Sequence, residues 1–305
     1  MQKMKGAFLG LLSGMFWGLD TVLNGYVLTL MPFILTDKRL ISATLLLAFC
    51  HDFISAIMLT IGLIVKGKLD NLDTLLKKRS SHFVMIAALF AGPIGMRAYL
   101  VAVESIGASL TATISATYPA VAAILGAVFL KDYLNKKGWF GLSLVILAII
   151  VLGFSDLTSI DHFFLGGITA LISVFGWASE SVITAYGMKD DILPEQALAI
   201  RQWTSSIAYF ALMCLDGDVL YSLIQVVISR NLMPILLLAT VGTLSYLFYY
   251  LAINKIGPVK ATGLNVTYSI WTVIFSILIM EHGIDLKLMI SGLFIIIGVS
   301  LIVKN

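Results

Sequence analysis

Two short stretches of the sequence place a carboxylate one helical turn after a tryptophan. Trp17 is followed by Asp20 in FWGLD, and Trp177 is followed by Glu180 in GWASE, each inside an otherwise apolar segment. Residues three apart lie on the same face of a helix, so each pair is predicted to present an indole and a carboxylate together. The face of an indole attracts a cation through the ring quadrupole, and a carboxylate supplies the countercharge. This combination suits a cation that lacks hydrogen-bond donors, such as a quaternary ammonium.

Further aromatic side chains recur at helical spacing later in the chain. The segments SYLFYYLA and NVTYSIW carry aromatic residues three and four apart, which places them on one face of a helix. For a single aromatic residue in a membrane helix, packing or a position at the lipid interface is the commoner explanation. Their concentration favours a ligand site instead. The candidate substrate-binding residues are Trp17, Tyr118, Trp177, Glu180, Tyr246, Tyr249, Tyr250, Asn265, Tyr268 and Trp271.

The apolar segments contain few ionisable groups, which are Asp20, His51, Asp52, Arg97, Glu180 and Arg201. A charge in the middle of a bilayer costs about 3 kcal/mol on insertion scales, so each group needs a partner, a cavity or a functional role. Three acids and two arginines leave one formal negative charge, which a cationic ligand would balance. The alternative is that each acid forms an ion pair with an arginine that only stabilises the packing of the helices. His51 and Asp52 are either a proton relay or a hydrogen-bonded packing pair.

The composition predicts an integral membrane protein. The chain has 305 residues, of which 59% are hydrophobic and 12% charged, and its mean hydropathy is +0.99. Long apolar runs without alternation favour helices over a membrane β-barrel, so the predicted fold is all-α. Charged and Gly/Pro clusters delimit ten apolar segments of membrane-spanning length, which are 6–31, 41–65, 82–103, 108–130, 138–155, 163–187, 195–215, 232–253, 258–280 and 285–303.

The chain also repeats itself. Residues 106–118, IGASLTATISATY, align without gaps on residues 256–268, IGPVKATGLNVTY, and FWGLD aligns on GWASE. The predicted organisation is therefore two five-helix halves, 1–157 and 158–305. Because five is odd, the second half must enter the membrane from the opposite side. Inverted repeats around a site at mid-membrane are a recurring plan of secondary transporters.

The placement of lysine and arginine predicts that both termini are cytoplasmic. In that orientation most basic loop residues face the cytoplasm, and the ones left outside are Lys38, Arg39, Arg230 and Lys287. The sequence has no glycine-rich phosphate loop, metal-ligand cluster, nucleophile elbow or basic domain for nucleic acid. We therefore expect no cofactor, no metal, no catalytic residue and no nucleic-acid partner.

Six blocks of the sequence carry a family resemblance, and they are GLLSGMFWGL (10–19), HDF (51–53), AGPIGMRAYLVAV (91–103), GWASES (176–181), IRQWTS (200–205) and YLAINKIGPVKATGLNVTYSIWTV (250–273). They resemble the LicB-type bacterial choline transporters within the EamA type of the drug/metabolite transporter superfamily. The resemblance implies alternating access by ten helices. It also implies that choline is held in an aromatic box formed by Trp17, Trp177, Glu180, Tyr246 and Tyr249 or Tyr250. The role of Asp20 rests on the internal repeat alone.

Together these observations predict a secondary-active importer of choline, or of a close quaternary ammonium compound, in the bacterial cytoplasmic membrane. Its expected partners are the lipid bilayer and a small cation, and it is not expected to be an enzyme. Uniport and proton symport both stay open, with Glu180 and Asp20 as candidates to carry a proton. One alternative is an exporter of amino acids or amphipathic drugs on the same fold. The other is a membrane enzyme or receptor for lipid head groups, which would need functional side chains near one interface.

Overall fold

All regular structure in the described part of the chain is helical. A computed structural model describes residues 2–35, 37, 39–69, 72–153, 163–188 and 192–280, and beyond them 290, 293–295, 297–298 and 301–302. Six of the described helices are long and apolar enough to cross a membrane, or seven if a pair bent by 109° counts as one span. The protein is therefore a multi-pass helical membrane protein.

The helices are, in chain order, α1 (Gln2–Leu28), α2 (Ala43–Val65), α3 (Leu72–Lys77), α4 (Arg79–Leu89), α5 (Arg97–Ile106), α6 (Ala108–Ser115), α7 (Tyr118–Leu130), α8 (Lys136–Gly153), α9 (Phe163–Gly187), α10 (Pro194–Asp216), α11 (Val219–Ile228), α12 (Leu232–Ile256), α13 (Pro258–Asn265) and α14 (Tyr268–Met280). The first nine predicted segments coincide with these helices to within a few residues at each end. The tenth, 285–303, lies almost wholly outside the described residues.

Two of the predicted segments each contain a break between two shorter α-helices. The segment 108–130 breaks between α6 and α7, and 258–280 breaks between α13 and α14. Each pair is preceded by a glycine in a backbone conformation that other residues rarely adopt: Gly107 has φ 79° and ψ 161°, and Gly257 has φ 81° and ψ 163°. These two segments contain the stretches that align with each other in sequence, so they are similar in local backbone conformation as well as in sequence.

A stripe of glycines lets α1 pack closely against the second half of the chain. Gly6, Gly10, Gly14 and Gly18 recur every four residues, and a Cβ on any of them would lie within 2.9 Å of an atom in residues 256–271. Small residues at this spacing are typical of close helix pairs in membranes. The stripe fixes α1 against the end of α12 and against α13 and α14, and it thereby positions Trp17.

α9 makes the corresponding contact with the first half of the chain. A Cβ on Gly166 would meet Ile106 at 2.5 Å, as one on Gly6 would meet Ile256 at 2.6 Å. Gly6 and Gly166 are related by the same offset as the two Trp-acid motifs, and Ile106 and Ile256 occupy the same position of the longer repeat. The first long helix of each half is thus packed against the other half.

Pro93 lies in a π-helical stretch, Phe90–Met96, which joins α4 to α5. Proline lacks the backbone N–H that continues an α-helix, and a wider turn accommodates its ring. Beside this stretch, a Cβ on Gly176 of α9 would lie 2.9 Å from the Cα of Gly95. The close backbone contact places the next residue, Trp177, against α5.

The short helix α11 was not expected from the sequence, and it ties the loop after α1 to the end of α10. It is bent by 109° from α10. Asp37 of the loop accepts hydrogen bonds from the Arg39 guanidinium at 2.8 and 3.2 Å and from the Tyr221 hydroxyl of α11 at 3.0 Å. Hydrogen bonds from Arg39 lower the pKa of the Asp37 carboxyl below its ordinary range, so this contact stays ionised at neutral pH.

Candidate functional site

A small buried cavity lies where α1, α7, α9, α12, α13 and α14 meet. Its volume is about 30 Å³, which is little more than one water molecule requires. Aromatic rings therefore occupy most of the space between these helices. The lining residues are Ser13, Trp17, Tyr118, Trp177, Glu180, Ser245, Tyr246, Tyr249, Asn265 and Tyr268.

The aromatic wall is built from rings in mutual contact. Trp17 meets Trp177 edge to face with ring centroids 5.4 Å apart, and it meets Tyr246 in the same manner at 5.1 Å. Tyr99 packs against Trp177 at 4.8 Å, and Tyr118 approaches the same indole at 6.1 Å. Edge-to-face pairs of this kind contribute about 0.5 to 1.5 kcal/mol each beyond their burial. The two repeat-related tryptophans, 5% and 6% exposed, share one enclosed site.

Glu180 brings a carboxylate into the cavity wall. Its Oε1 accepts hydrogen bonds from the Tyr250 hydroxyl at 2.8 Å and from Arg201 Nε at 3.3 Å. Its Oε2 accepts none from any described residue, although an ionised carboxylate has room for several. Tyr250, which does not line the cavity, therefore orients Glu180, and one carboxylate oxygen is left for a ligand.

Two other polar groups of the lining residues have no hydrogen-bond partner among the described residues. They are Trp177 Nε1 and the Tyr249 hydroxyl, both buried. Buried polar atoms are nearly always satisfied, and each one left unpaired costs about 1 to 3 kcal/mol. Together with Glu180 Oε2, these groups give the cavity wall unmet hydrogen-bonding capacity that a water or a ligand would use.

Asp20 does not line the cavity, although it is the repeat mate of Glu180. Its Oδ1 lies 3.2 Å from His51 Nε2, and His51 Nδ1 lies 2.9 Å from Asp52 Oδ1. Asp52 Oδ2 in turn accepts a hydrogen bond from Arg201 Nη1 at 2.9 Å. Asp20, His51, Asp52, Arg201 and Glu180 therefore form one continuous buried network that ends at the cavity.

The hydrogen bonds of His51 constrain the charge of this network. An imidazolium donates to both carboxylates, whereas a neutral ring donates to one and requires the other carboxyl to carry a proton. In either case Asp20, His51 and Asp52 hold one shared proton and a net charge of −1. Arg201 then offsets Glu180, so the network keeps one negative charge. A cation in the cavity would neutralise it.

Two candidates from the sequence lie elsewhere. Arg97 is half-buried on α5, and among the described residues it forms no ion pair with the membrane acids. His51, rather than Arg97, is the partner of Asp20. Trp271 does not line the cavity. It stacks on Phe275 with ring centroids 5.9 Å apart and packs against Gly18 of α1, which is a structural contact.

Polar contacts close the side of the cavity formed by α7 and α13. The Tyr118 hydroxyl donates to Asn265 Oδ1 at 2.7 Å, and Asn265 Nδ2 donates to Ser13 Oγ at 2.5 Å. The Tyr268 hydroxyl and Ser115 Oγ are 2.5 Å apart. Tyr118, Asn265 and Tyr268 are therefore brought together as the sequence predicted, but their polar atoms are already satisfied by one another and by serines.

Some residues of the site were missed in the sequence. Tyr99 packs on Trp177, and its hydroxyl lies 2.9 Å from Thr21 Oγ1, yet no helical pattern or repeat distinguished it. Gln202 accepts a hydrogen bond from Arg201 and donates to Ser55 Oγ at 2.7 Å. Its position next to Arg201 was the available signal, because a second polar residue in an apolar segment indicates an internal face.

The fold and the polar site inside it are those of a membrane transporter. The sequence pattern of the EamA-like transporter family matches residues 4–154 and again residues 164–304. The two matches cover nearly the whole described chain. The protein belongs to the EamA-like transporter family.

Two individual proteins are similar to this chain. Protein LicB of Haemophilus influenzae is 29% identical over 281 residues, which are 92% of this chain and 91% of that protein. A crystal structure of a protein covers 98% of this chain and 97% of its own, with a TM-score of 0.73 at 14% identity. At that identity the structural likeness shows the fold alone.

Proposed function

We propose that the protein imports choline, or a closely related quaternary ammonium compound, across the bacterial cytoplasmic membrane. The observation that carries the proposal is the contact of Trp17, Trp177 and Tyr246 around a cavity into which Glu180 brings an unengaged carboxylate oxygen. A quaternary ammonium has no N–H donor, so aromatic faces and a countercharge are the chemistry that binds it. The six sequence blocks that resemble choline transporters support the same substrate.

The proposed mechanism is alternating access by two inverted halves, 1–157 and 158–305, with both termini in the cytoplasm. The matching glycines Gly107 and Gly257 and the reciprocal packing of α1 and α9 support this arrangement. A cavity of about 30 Å³ is too small for choline, so the aromatic rings must separate to admit it. Substrate entry is therefore coupled to movement of the helices that carry those rings.

Two energy sources are compatible with the proposal. One positive charge that enters a cell gains about 2.3 kcal/mol per 100 mV of inward-negative potential. The proton shared by Asp20, His51 and Asp52 supports a proton-coupled version, because a buried network that holds one proton is able to release it. Uptake into proteoliposomes under an imposed potential, with and without a pH gradient, separates uniport from proton symport.

The other two candidate functions have less support. A broad exporter of amphipathic compounds on this fold would not need a buried carboxylate with an unengaged oxygen in its cavity wall, which Glu180 supplies here. An enzyme or receptor for lipid head groups would need its functional side chains at one interface, whereas Glu180 and its partners are buried between helices.

The test compares choline with its uncharged carbon isostere, 3,3-dimethylbutan-1-ol, by calorimetry on the purified protein. We expect choline to bind and the neutral alcohol of the same shape to give no measurable heat of binding. Trp177→Ala should weaken choline binding at least about tenfold, which corresponds to 1.4 kcal/mol, and Trp177→Phe should restore part of it because a ring face is kept. Equal binding of both compounds, or undiminished binding by Trp177→Ala, contradicts the proposal.

A further inference from the structure

Arg201 uses the same two features of the site that a bound cation would use. Its guanidinium carbon lies 4.3 Å from the centroid of the Tyr246 ring, and its Nη2 donates to the Tyr246 hydroxyl at 2.9 Å. Its Nε donates to Glu180 Oε1 at 3.3 Å. Arg201 itself does not line the cavity and is completely buried. The arginine and a cation in the cavity would therefore share Glu180 and Tyr246.

Arg201 also has a second carboxylate within reach. Nη1 donates to Asp52 Oδ2 at 2.9 Å, which lies in the range of strong charge-assisted hydrogen bonds, whereas the bond to Glu180 is longer. A buried charge is very costly when it loses its only partner. Because Arg201 stays hydrogen-bonded to Asp52, it is able to release Glu180 without becoming an unpaired charge.

We propose that Arg201 is a built-in counter-ion, and that its exchange between Glu180 and Asp52 sets the affinity of the cavity for a cation. The inference rests on the proposed function, since it assigns a regulatory part to the same site. In the empty site Arg201 partly neutralises Glu180. A cation that enters draws Glu180 to itself, and Arg201 moves fully to Asp52. The two events are linked, so a change that favours the Arg201–Asp52 pair over the Arg201–Glu180 pair strengthens cation binding.

Two variants should shift the affinity in opposite directions. The probe is tetramethylammonium, titrated into purified protein by calorimetry. Asp52→Asn leaves Arg201 with Glu180 as its carboxylate partner, so we expect binding about tenfold weaker than in the wild type. The double variant Asp52→Asn/Arg201→Gln removes one carboxylate and one guanidinium, so no arginine competes with the cation for Glu180. We expect it to bind about tenfold more tightly than the wild type.

Two controls separate this exchange from general electrostatics. Asp20→Asn also removes one carboxylate from the network but does not touch Arg201, so it should weaken binding less than Asp52→Asn. Arg97→Gln removes a positive charge from α5 that pairs with none of these acids, and its affinity should stay within about twofold of the wild type. Thermal unfolding of each variant reports whether it is folded.

The outcomes distinguish the inference from the function on which it rests. No binding of tetramethylammonium by the wild type contradicts both. Binding by the wild type together with equal or weaker binding by the folded double variant overturns the role of Arg201 alone. If the double variant does not fold, the comparison of single variants decides: equal losses in Asp52→Asn and Asp20→Asn overturn the inference, and a larger loss in Asp52→Asn supports it.

Discussion

Glu180 and Asp20 occupy equivalent positions of the repeat but have different chemical surroundings. Glu180 faces the cavity with one oxygen engaged by Tyr250 and Arg201. Asp20 is turned toward His51, and a Cβ at Gly242 of α12 would lie 2.6 Å from its Oδ1. The absence of a side chain at Gly242 therefore lets the Asp20–His51 pair lie against α12. One acid of the repeat therefore lines the cavity, and the other is hydrogen-bonded to a histidine.

We predict that Glu180→Gln weakens choline binding at least about tenfold while the protein stays folded. The amide loses the countercharge, but its oxygen still accepts from Tyr250, and Arg201 keeps its bond to Asp52. Calorimetry measures the affinity, and the thermal unfolding midpoint measures the fold. Glu104→Gln, which changes an exposed carboxylate at the end of α5, is the matched control and should bind choline normally. Unchanged affinity in Glu180→Gln would reduce this residue to a structural partner of Arg201.

Most residues that line the cavity were predictable from the sequence, whereas the partners of the charged residues were not. Trp17, Trp177, Glu180 and Tyr246 follow from helical spacing, because residues three or four apart on one helix share a face. The partner of Asp20 depends on how α1 packs against α2, and spacing within one helix carries no information about that contact. The sequence therefore indicated that His51 is a titratable group in an apolar segment, but it did not indicate that His51 links Asp20 and Asp52.

At the level of helices, the bounds were predictable, and the breaks were predictable only in part, since Pro93 and Pro119 each predict a kink or an unwound turn. The ends of apolar runs give the bounds, because membrane thickness sets the length of a spanning helix. The break between α6 and α7 falls at residues 116–117, and the one between α13 and α14 at 266–267, and neither contains glycine or proline. Helix α11 was missed for a different reason, since its ten residues are too short to register as a span.

The glycine stripe of α1 gives a prediction with an internal control. Gly18→Ala would place a Cβ 2.8 Å from the backbone nitrogen of Thr272 in α14, so we expect the protein to lose about 1 to 3 kcal/mol of stability. Gly25→Ala on the same helix meets nothing within 4 Å and should be neutral, or stabilising by up to about 1 kcal/mol through helix propensity. Thermal unfolding of both variants in detergent measures the difference. Equal stability would show that α1 does not need this close approach.

At the level of the whole molecule, the first long helix of each half packs against the other half. α1 carries Trp17 into contact with α12 to α14, and α9 carries Trp177 against the π-helical stretch and α5. The cavity is therefore made of residues from both halves, with Trp17 and Tyr118 from the first and Glu180, Tyr246 and Asn265 from the second. Any movement of one half against the other must change its shape. This is the physical link between the fold and the proposed alternating access.

Inversion of the halves predicts that equivalent residues lie on opposite sides of the membrane. Glu104 at the end of α5 and Asn254 at the end of α12 differ by the repeat offset, and both are exposed. In a background in which Cys50 and Cys214 are replaced by alanine, we expect Glu104→Cys to react with an impermeant maleimide in intact cells. Asn254→Cys should react only after permeabilisation, because the proposed orientation places it on the cytoplasmic side. A parallel repeat would make both positions react alike, and a reversed pattern would place the termini outside.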